Sequence, residues 1–155
     1  MIDSAAGTFG RVVAFRLSPG EDLLDGIQST CEKYGIHNGV ILSGIGSLNG
    51  ATFFDPVALP GTKAGYGYSE PIVRTGPTEL ISASGCVCQG ERGEVLLHVH
   101  CCFADSDGNT FSGHLIRGNR VLLTADLVIG EFDGILMDRR MEEDLGVYIV
   151  HPRQM

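Results

Sequence analysis

The chain has 155 residues, of which 43% are hydrophobic and 19% are charged. This balance excludes a disordered chain, and no run of 18 apolar residues predicts a transmembrane helix. The formal net charge of −8 disfavours direct contact with a nucleic-acid backbone, because that contact depends on Lys and Arg displacing counterions.

The first predicted elements are a strand and a helix. Arg11–Leu17 is apolar and rich in β-branched residues, which is typical of a strand. After it, Ser18 fits the helix N-cap, Pro19 the first helical position, and Glu21 a capping box. Apolar residues then recur at helical spacing at Leu23, Leu24, Ile27 and Cys31. Gly35 is placed to end the helix in a left-handed conformation.

Most of the remaining chain predicts β-strands. They are expected at Gly39–Ser43, Ala51–Phe54, Pro71–Arg74, Glu79–Gln89, Glu94–Ala104, Thr110–Ile116, Arg120–Gly130 and Val147–Val150. Gly44–Gly50 follows a strand but lacks the last glycine of a dinucleotide-binding loop, so it predicts a tight turn or a close-packed bend. Asp55–Gly67 predicts a long loop, and Ile135–Leu145 a short helix whose charged part, Asp138–Asp144, is solvated. One helix beside a run of antiparallel strands predicts an α+β fold, and the length suits a single domain over 1–155.

The five cysteines are Cys31, Cys86, Cys88, Cys101 and Cys102. The N-terminal residues show no basic region followed by an apolar stretch, so we expect no secretory signal, a cytoplasmic protein and no membrane partner. In that compartment an odd number of cysteines indicates reduced thiols.

The segment that carries chemistry is Leu97–Ile116. His98 and His100 are two residues apart in a predicted strand, so both rings leave the same face. A five-residue turn centred on Asp107 would place His100 directly opposite His114, on that same face. A turn one residue shorter or longer would send the His114 ring to the other face.

Three imidazoles gathered on one face predict a divalent transition-metal site at His98, His100 and His114. Zn²⁺ is the expected ion, while Cu, Ni, Fe and Mn stay open. Three histidine ligands leave a fourth position for a small-molecule ligand, whereas Cys102 as the fourth ligand would close the site and indicate a structural ion. The alternative is that these histidines are ordinary surface or core residues.

The motifs together resemble the plants-and-prokaryotes-conserved (PPC) domain family over about residues 9–133. The resemblance rests on segments present in family order: FRLSPGEDLLDGI, VILSGIGSLNGATF, ELISASGCV, LHVHCCFADSDGNTFSGHLIRG and VLLTADLVIGEF. It implies a PPC-like α+β fold with a mainly antiparallel sheet, a homotrimer, and a family turn at Gly44, Gly46 and Ser47. The remaining residues, 134–155, would form a C-terminal extension.

The resemblance also implies a DNA-associated or regulatory role, because plant members carry AT-hook segments and associate with DNA. This sequence departs from them. Its nearest approach to an Arg-Gly-Arg hook is Arg117-Gly118-Asn119-Arg120, which lies inside the domain and has no proline. We therefore expect no DNA-binding residues here.

The expected fold is also similar to that of acetolactate decarboxylase and of a three-histidine zinc esterase-like protein. Of the site residues in those two proteins, only the three histidines have matching positions in this sequence. Glu79 and either Arg16 or Arg74 would be candidates for a proton donor and for a group that binds a substrate carboxylate. Three functions follow as hypotheses, of which direct binding of duplex DNA is opposed by the net charge and by the missing hook. The other two are as follows. One is a non-catalytic binding protein with a metal site, and the other is a zinc-dependent decarboxylase or hydrolase acting on a small carbonyl compound.

Overall fold

The computed structural model describes residues 2–155. In chain order its elements are β1 (Thr8–Leu17), α1 (Leu23–Tyr34), β2 (Gly39–Phe54), β3 (Pro56–Ala58), β4 (Tyr66–Tyr68), β5 (Ile72–Gln89), β6 (Val95–Asp105), β7 (Thr110–Leu115), β8 (Val121–Asp133), β9 (Ile135–Glu142) and β10 (Val147–Gln154). The predicted α+β fold, with a mainly antiparallel sheet, is confirmed. No helix in the described range is long and apolar enough to cross a membrane.

Eight strands form one sheet in the order β1-β8-β2-β7-β6-β5-β9-β10, and β2 also pairs with β5. Strands β2, β7, β6 and β5 therefore form a closed ring of pairings. The buried apolar side chains lie on one face of the sheet, where Leu23, Ile27 and Cys31 of α1 pack among them. The opposite face of β6 and β7 is left accessible, and this is the face that carries the histidines.

The N-cap of the helix lies four residues later than predicted. Asp22, not Ser18, is the N-cap, and its carboxylate accepts hydrogen bonds from the backbone N–H groups of Leu24 and Asp25. The same carboxylate accepts from the N–H groups of Gly118 and Asn119, so the loop before β8 fixes where the helix starts. At the other end Gly35 adopts the left-handed conformation, as predicted.

In two places, two segments predicted as separate strands belong to one continuous strand. Gly44–Gly50 lies inside β2, so a tight turn there, including the family turn at Gly44, Gly46 and Ser47, is wrong, whereas the alternative of a close-packed bend agrees with the structure. Hydrogen bonding to β5 and β8 on both sides holds the segment extended, and register shifts mark where it bends. Pro71–Arg74 and Glu79–Gln89 likewise belong to the single strand β5.

The expected helix at Ile135–Leu145 is also wrong, because this segment forms β9 and pairs along its whole length with β10. Asp138–Asp144 is therefore strand followed by turn. The long loop expected at Asp55–Gly67 contains a small hairpin, in which β3 pairs with β4.

Candidate metal centre

Strands β6 and β7 form the hairpin that carries all three histidines. Asp105 accepts hydrogen bonds from the backbone N–H groups of Asp107 and Asn109, which stabilises the turn between the strands. The register places His100 opposite His114, Cys102 opposite Ser112 and Ala104 opposite Thr110. This is the predicted pairing, and the expected juxtaposition of the rings is confirmed.

The three rings converge on one point at the surface. The ligand nitrogens of His98, His100 and His114 all lie within 4.8 Å of one another. The Nε2 atoms of His98 and His100 are 3.1 Å apart. Two nitrogens bound tetrahedrally to one zinc ion would be about 3.3 Å apart, so the arrangement fits a metal without large movement of the strands.

The surroundings of His98 and His114 favour the neutral form of the imidazole, which is the form that binds a metal. Burial, the neighbouring rings of His98 and His100, and the positive charge of Arg139 lower the pKa of His114 to about 4. Burial, His100 and Arg139 likewise lower the pKa of His98. Both rings therefore carry a free nitrogen lone pair at neutral pH.

An open cavity of about 330 Å³ adjoins His100 and His114. Ser82 on β5, Cys102 on β6 and Ser112 on β7 are paired across the three strands. Cys102 and Ser112 lie two residues along their strands from the pair His100 and His114. Phe54, Asp55 and Tyr68 also line the cavity. A ligand bound at a free metal position would thus meet hydroxyl groups, aromatic rings and a carboxylate.

Among the residues that the structure describes, Cys102 is not part of the group of side chains that could hold a metal ion. The group consists of three histidines, which is the ligand set of an open site. The neighbouring Cys101 points into the core, and burial raises the pKa of its thiol to about 12. It is thus a core residue rather than a metal ligand.

The structure separates Glu79, Arg16 and Arg74 from the histidines. Glu79 lies opposite Ala104, four residues along β6 from His100 and hence about 13 Å away. Arg16 lies on β1 and lines a different cavity beside α1. The guanidinium of Arg74 lies over the ring of Phe111, 5.7 Å from its centroid. The catalytic roles expected for Glu79 and Arg16 therefore gain no support from their positions.

Sequence reasoning missed two residues near the site, Arg139 and Tyr68. Arg139 reaches the histidines because β9 makes a parallel contact with the end of β5, and its guanidinium donates to the Leu97 carbonyl at 3.5 Å. Tyr68 comes from the β3–β4 hairpin, and its hydroxyl lies 3.4 Å from His114 Nδ1. Neither residue carries a local sequence signal, because both contacts depend on how distant segments pack.

The fold and the histidine cluster together define a small α+β domain with a candidate metal centre on its surface. The family model described as Plants and Prokaryotes Conserved (PCC) domain matches residues 4–133. The chain therefore belongs to this family, which is the PPC family that its motifs resemble.

Three known proteins show how far the similarity extends. A plant- and prokaryote-conserved protein from Pyrococcus horikoshii shares 29% identity with a TM-score of 0.79, covering 96% of this chain and 97% of that one. A metal-containing protein from Archaeoglobus fulgidus shares 24% identity with a TM-score of 0.82, covering 96% and 99%. The bifunctional protein GlmU of Synechococcus sp. strain JA-3-3Ab is 28% identical over 141 residues, or 91% of this chain. The chain spans about one fifth of the length of the curated relatives it matches.

Proposed function

We propose that this protein is a PPC-domain binding protein that holds one zinc ion through His98, His100 and His114. The observation that carries the proposal is the convergence of the ligand nitrogens of three histidines within 4.8 Å on an accessible sheet face. The Archaeoglobus fulgidus protein of the same fold is itself metal-containing, which supports the proposal that this protein binds a metal ion. Zinc is favoured because three nitrogen ligands without a thiolate suit its tetrahedral geometry, with the fourth position open.

Zinc titration of the metal-free protein tests this proposal. We expect one zinc ion per chain by calorimetry, and more than about 100-fold weaker binding in His98→Ala and His114→Ala, because each variant removes a direct ligand. His151→Ala is the matched control, since His151 lies on β10 and hydrogen-bonds Asp3 at 2.8 Å. Equal zinc affinity in wild type and His114→Ala would contradict the proposed site.

A second candidate function is hydrolysis or decarboxylation of a small carbonyl compound at the same centre. The observation that favours it is the cavity beside the histidines, in which the carboxylate of Asp55 is the candidate group to accept a proton. A bound divalent metal would supply Lewis-acid polarisation of the carbonyl. In ester hydrolysis the water oxygen would bond to the carbonyl carbon while a proton from water passed to Asp55. The ester C–O bond would then break, and the leaving alkoxide would depart as the alcohol after taking that proton.

Turnover of p-nitrophenyl acetate by zinc-loaded protein tests this second candidate. We expect Asp55→Asn to lower kcat by about 100-fold while zinc content is unchanged, since a positioned acid–base group contributes roughly that factor. Asp107→Asn, in the exposed β6–β7 turn, is the control. No zinc-dependent turnover in the wild type, or equal turnover in Asp55→Asn, would argue for the non-catalytic binding protein.

For the assembly we propose a homotrimer, as the family resemblance implies. Support from this chain comes from apolar side chains left exposed on β1, β2 and β5, among them Val12, Leu42, Ile45 and Ile81. Direct contact with DNA is not part of the proposal, because the net charge of −8 opposes approach to a phosphate backbone. A regulatory role would then depend on protein partners or on the metal.

A further inference from the structure

The two nitrogens of His114 have different surroundings. His98 and His100 approach each other through their Nε2 atoms, which are 3.1 Å apart. The Nδ1 atom of His114 faces the Tyr68 hydroxyl at 3.4 Å, so Nε2 is the atom free to join the other two. A neutral imidazole that binds a metal through Nε2 carries its proton on Nδ1, and that N–H needs an acceptor.

Tyr68 is held where it can provide that acceptor. Its ring lies 4.9 Å from the His114 ring and 5.8 Å from the Phe54 ring, measured between centroids. Phe54 is also the residue opposite His114 in the β2–β7 pairing. The tyrosine ring therefore packs against both members of one cross-strand pair, which restricts where its hydroxyl can point.

The hairpin that carries Tyr68 is fastened at its base and at its tip. At the base, the Asp55 N–H donates to the Ser69 hydroxyl at 3.2 Å, and the Ser69 N–H donates to the Asp55 carbonyl at 2.8 Å. At the tip, Lys63 Nζ donates to the Glu143 carbonyl at 2.9 Å, in the turn between β9 and β10. These contacts fix the hairpin beside the metal centre.

We propose that Tyr68 is a positioning residue for the metal centre. Its hydroxyl oxygen accepts the Nδ1–H of His114 and so directs Nε2 of that ring towards the ion. The inference rests on the proposed function, because it concerns a ligand of the proposed zinc site. It adds that all three histidines bind through Nε2 and that the β3–β4 hairpin belongs to the centre.

The test compares Tyr68→Phe with Tyr66→Phe, using Co²⁺ as the probe. Tyr66 lies two residues away on the same hairpin and is 66% exposed, so its variant removes an equivalent hydroxyl away from His114. We expect Tyr68→Phe to weaken Co²⁺ binding about 10- to 100-fold, as removal of a hydrogen-bond partner of a ligating histidine does. Tyr66→Phe should stay within about twofold of the wild type, as for other surface substitutions.

Proton NMR of the Co²⁺-loaded protein supplies a readout that a change in packing would not reproduce. Each histidine bound through Nε2 gives a strongly shifted, exchangeable Nδ1–H signal. In Tyr68→Phe one of these signals should broaden or exchange faster with water, and in Tyr66→Phe all should match the wild type. Since Tyr68 is half exposed and phenylalanine keeps the ring, thermal unfolding should be unchanged and would confirm an intact fold.

The outcomes separate this inference from the proposed function. If the wild type binds no Co²⁺, the zinc site itself is wrong and the positioning role falls with it. If the wild type binds Co²⁺ and Tyr68→Phe matches it in affinity and in N–H exchange, the metal site stands and the role of Tyr68 is overturned. Weakened binding with the altered N–H signal, in Tyr68→Phe alone, supports the inference.

Discussion

At the scale of single residues, Asn119 shows how one buried polar residue joins three segments near the site. It is fully buried, and its side-chain amide accepts from the Thr52 N–H at 2.8 Å while donating to the carbonyls of Thr52 and Ile116. Its own backbone N–H donates to the helix cap Asp22. The amide therefore ties the end of β2 to the loop that follows β7, next to the strand that carries His114.

We expect Asn119→Ala to lower the free energy of unfolding by about 3 kcal/mol, because it leaves a buried N–H and two carbonyls without partners. Urea unfolding of the metal-free protein measures this loss. Asn49→Ala, at an exposed position of β2, is the control and should change stability by less than about 0.5 kcal/mol. A loss of similar size in both variants would show that the amide network contributes little.

At the scale of secondary-structure elements, the sequence predicts best what depends on local signals. The β6–β7 hairpin was predictable because Asp105–Asn109 has strong turn residues and because alternation alone puts His98 and His100 on one face. The helix was predictable from spacing, but its start was not. The cap Asp22 is selected by hydrogen bonds from Gly118 and Asn119, which are distant in the sequence.

The wrong predictions share a non-local cause. The glycines of Gly44–Gly50 suggested a turn or a bend, but a Cβ at Gly46 would collide with the Thr124 carbonyl oxygen, and φ is +156°. That glycine is required because β8 approaches β2 closely, and a single sequence does not show this neighbour. The charged segment of β9 likewise looked helical, because the strand that pairs with it, β10, lies outside the segment and supplies Arg153 as a contact for Asp138.

At the scale of the whole molecule, the two faces of the sheet differ. One face is covered by α1 and holds the core. On the other face several apolar side chains remain accessible, and Phe9 and Leu42 meet there above Gly130, where a Cβ would contact both. Scattered exposed apolar residues are ordinary on a monomer, but a continuous patch indicates an interface. The proposed trimer would cover these exposed apolar side chains.

The trimer can be tested by light scattering after size-exclusion chromatography. We expect the wild type to have three times the chain mass of 16.5 kDa. Leu42→Glu should lower that mass, because a carboxylate buried in an apolar contact loses its hydration without gaining a partner. Tyr34→Glu, exposed at the end of α1 on the covered side of the sheet, is the control and should stay trimeric. A monomeric wild type, or equal dissociation of both variants, would show that this face does not join copies of the chain. Zinc titration of Leu42→Glu then tells whether the metal centre is complete within one chain, which the convergence of His98, His100 and His114 on a single hairpin predicts.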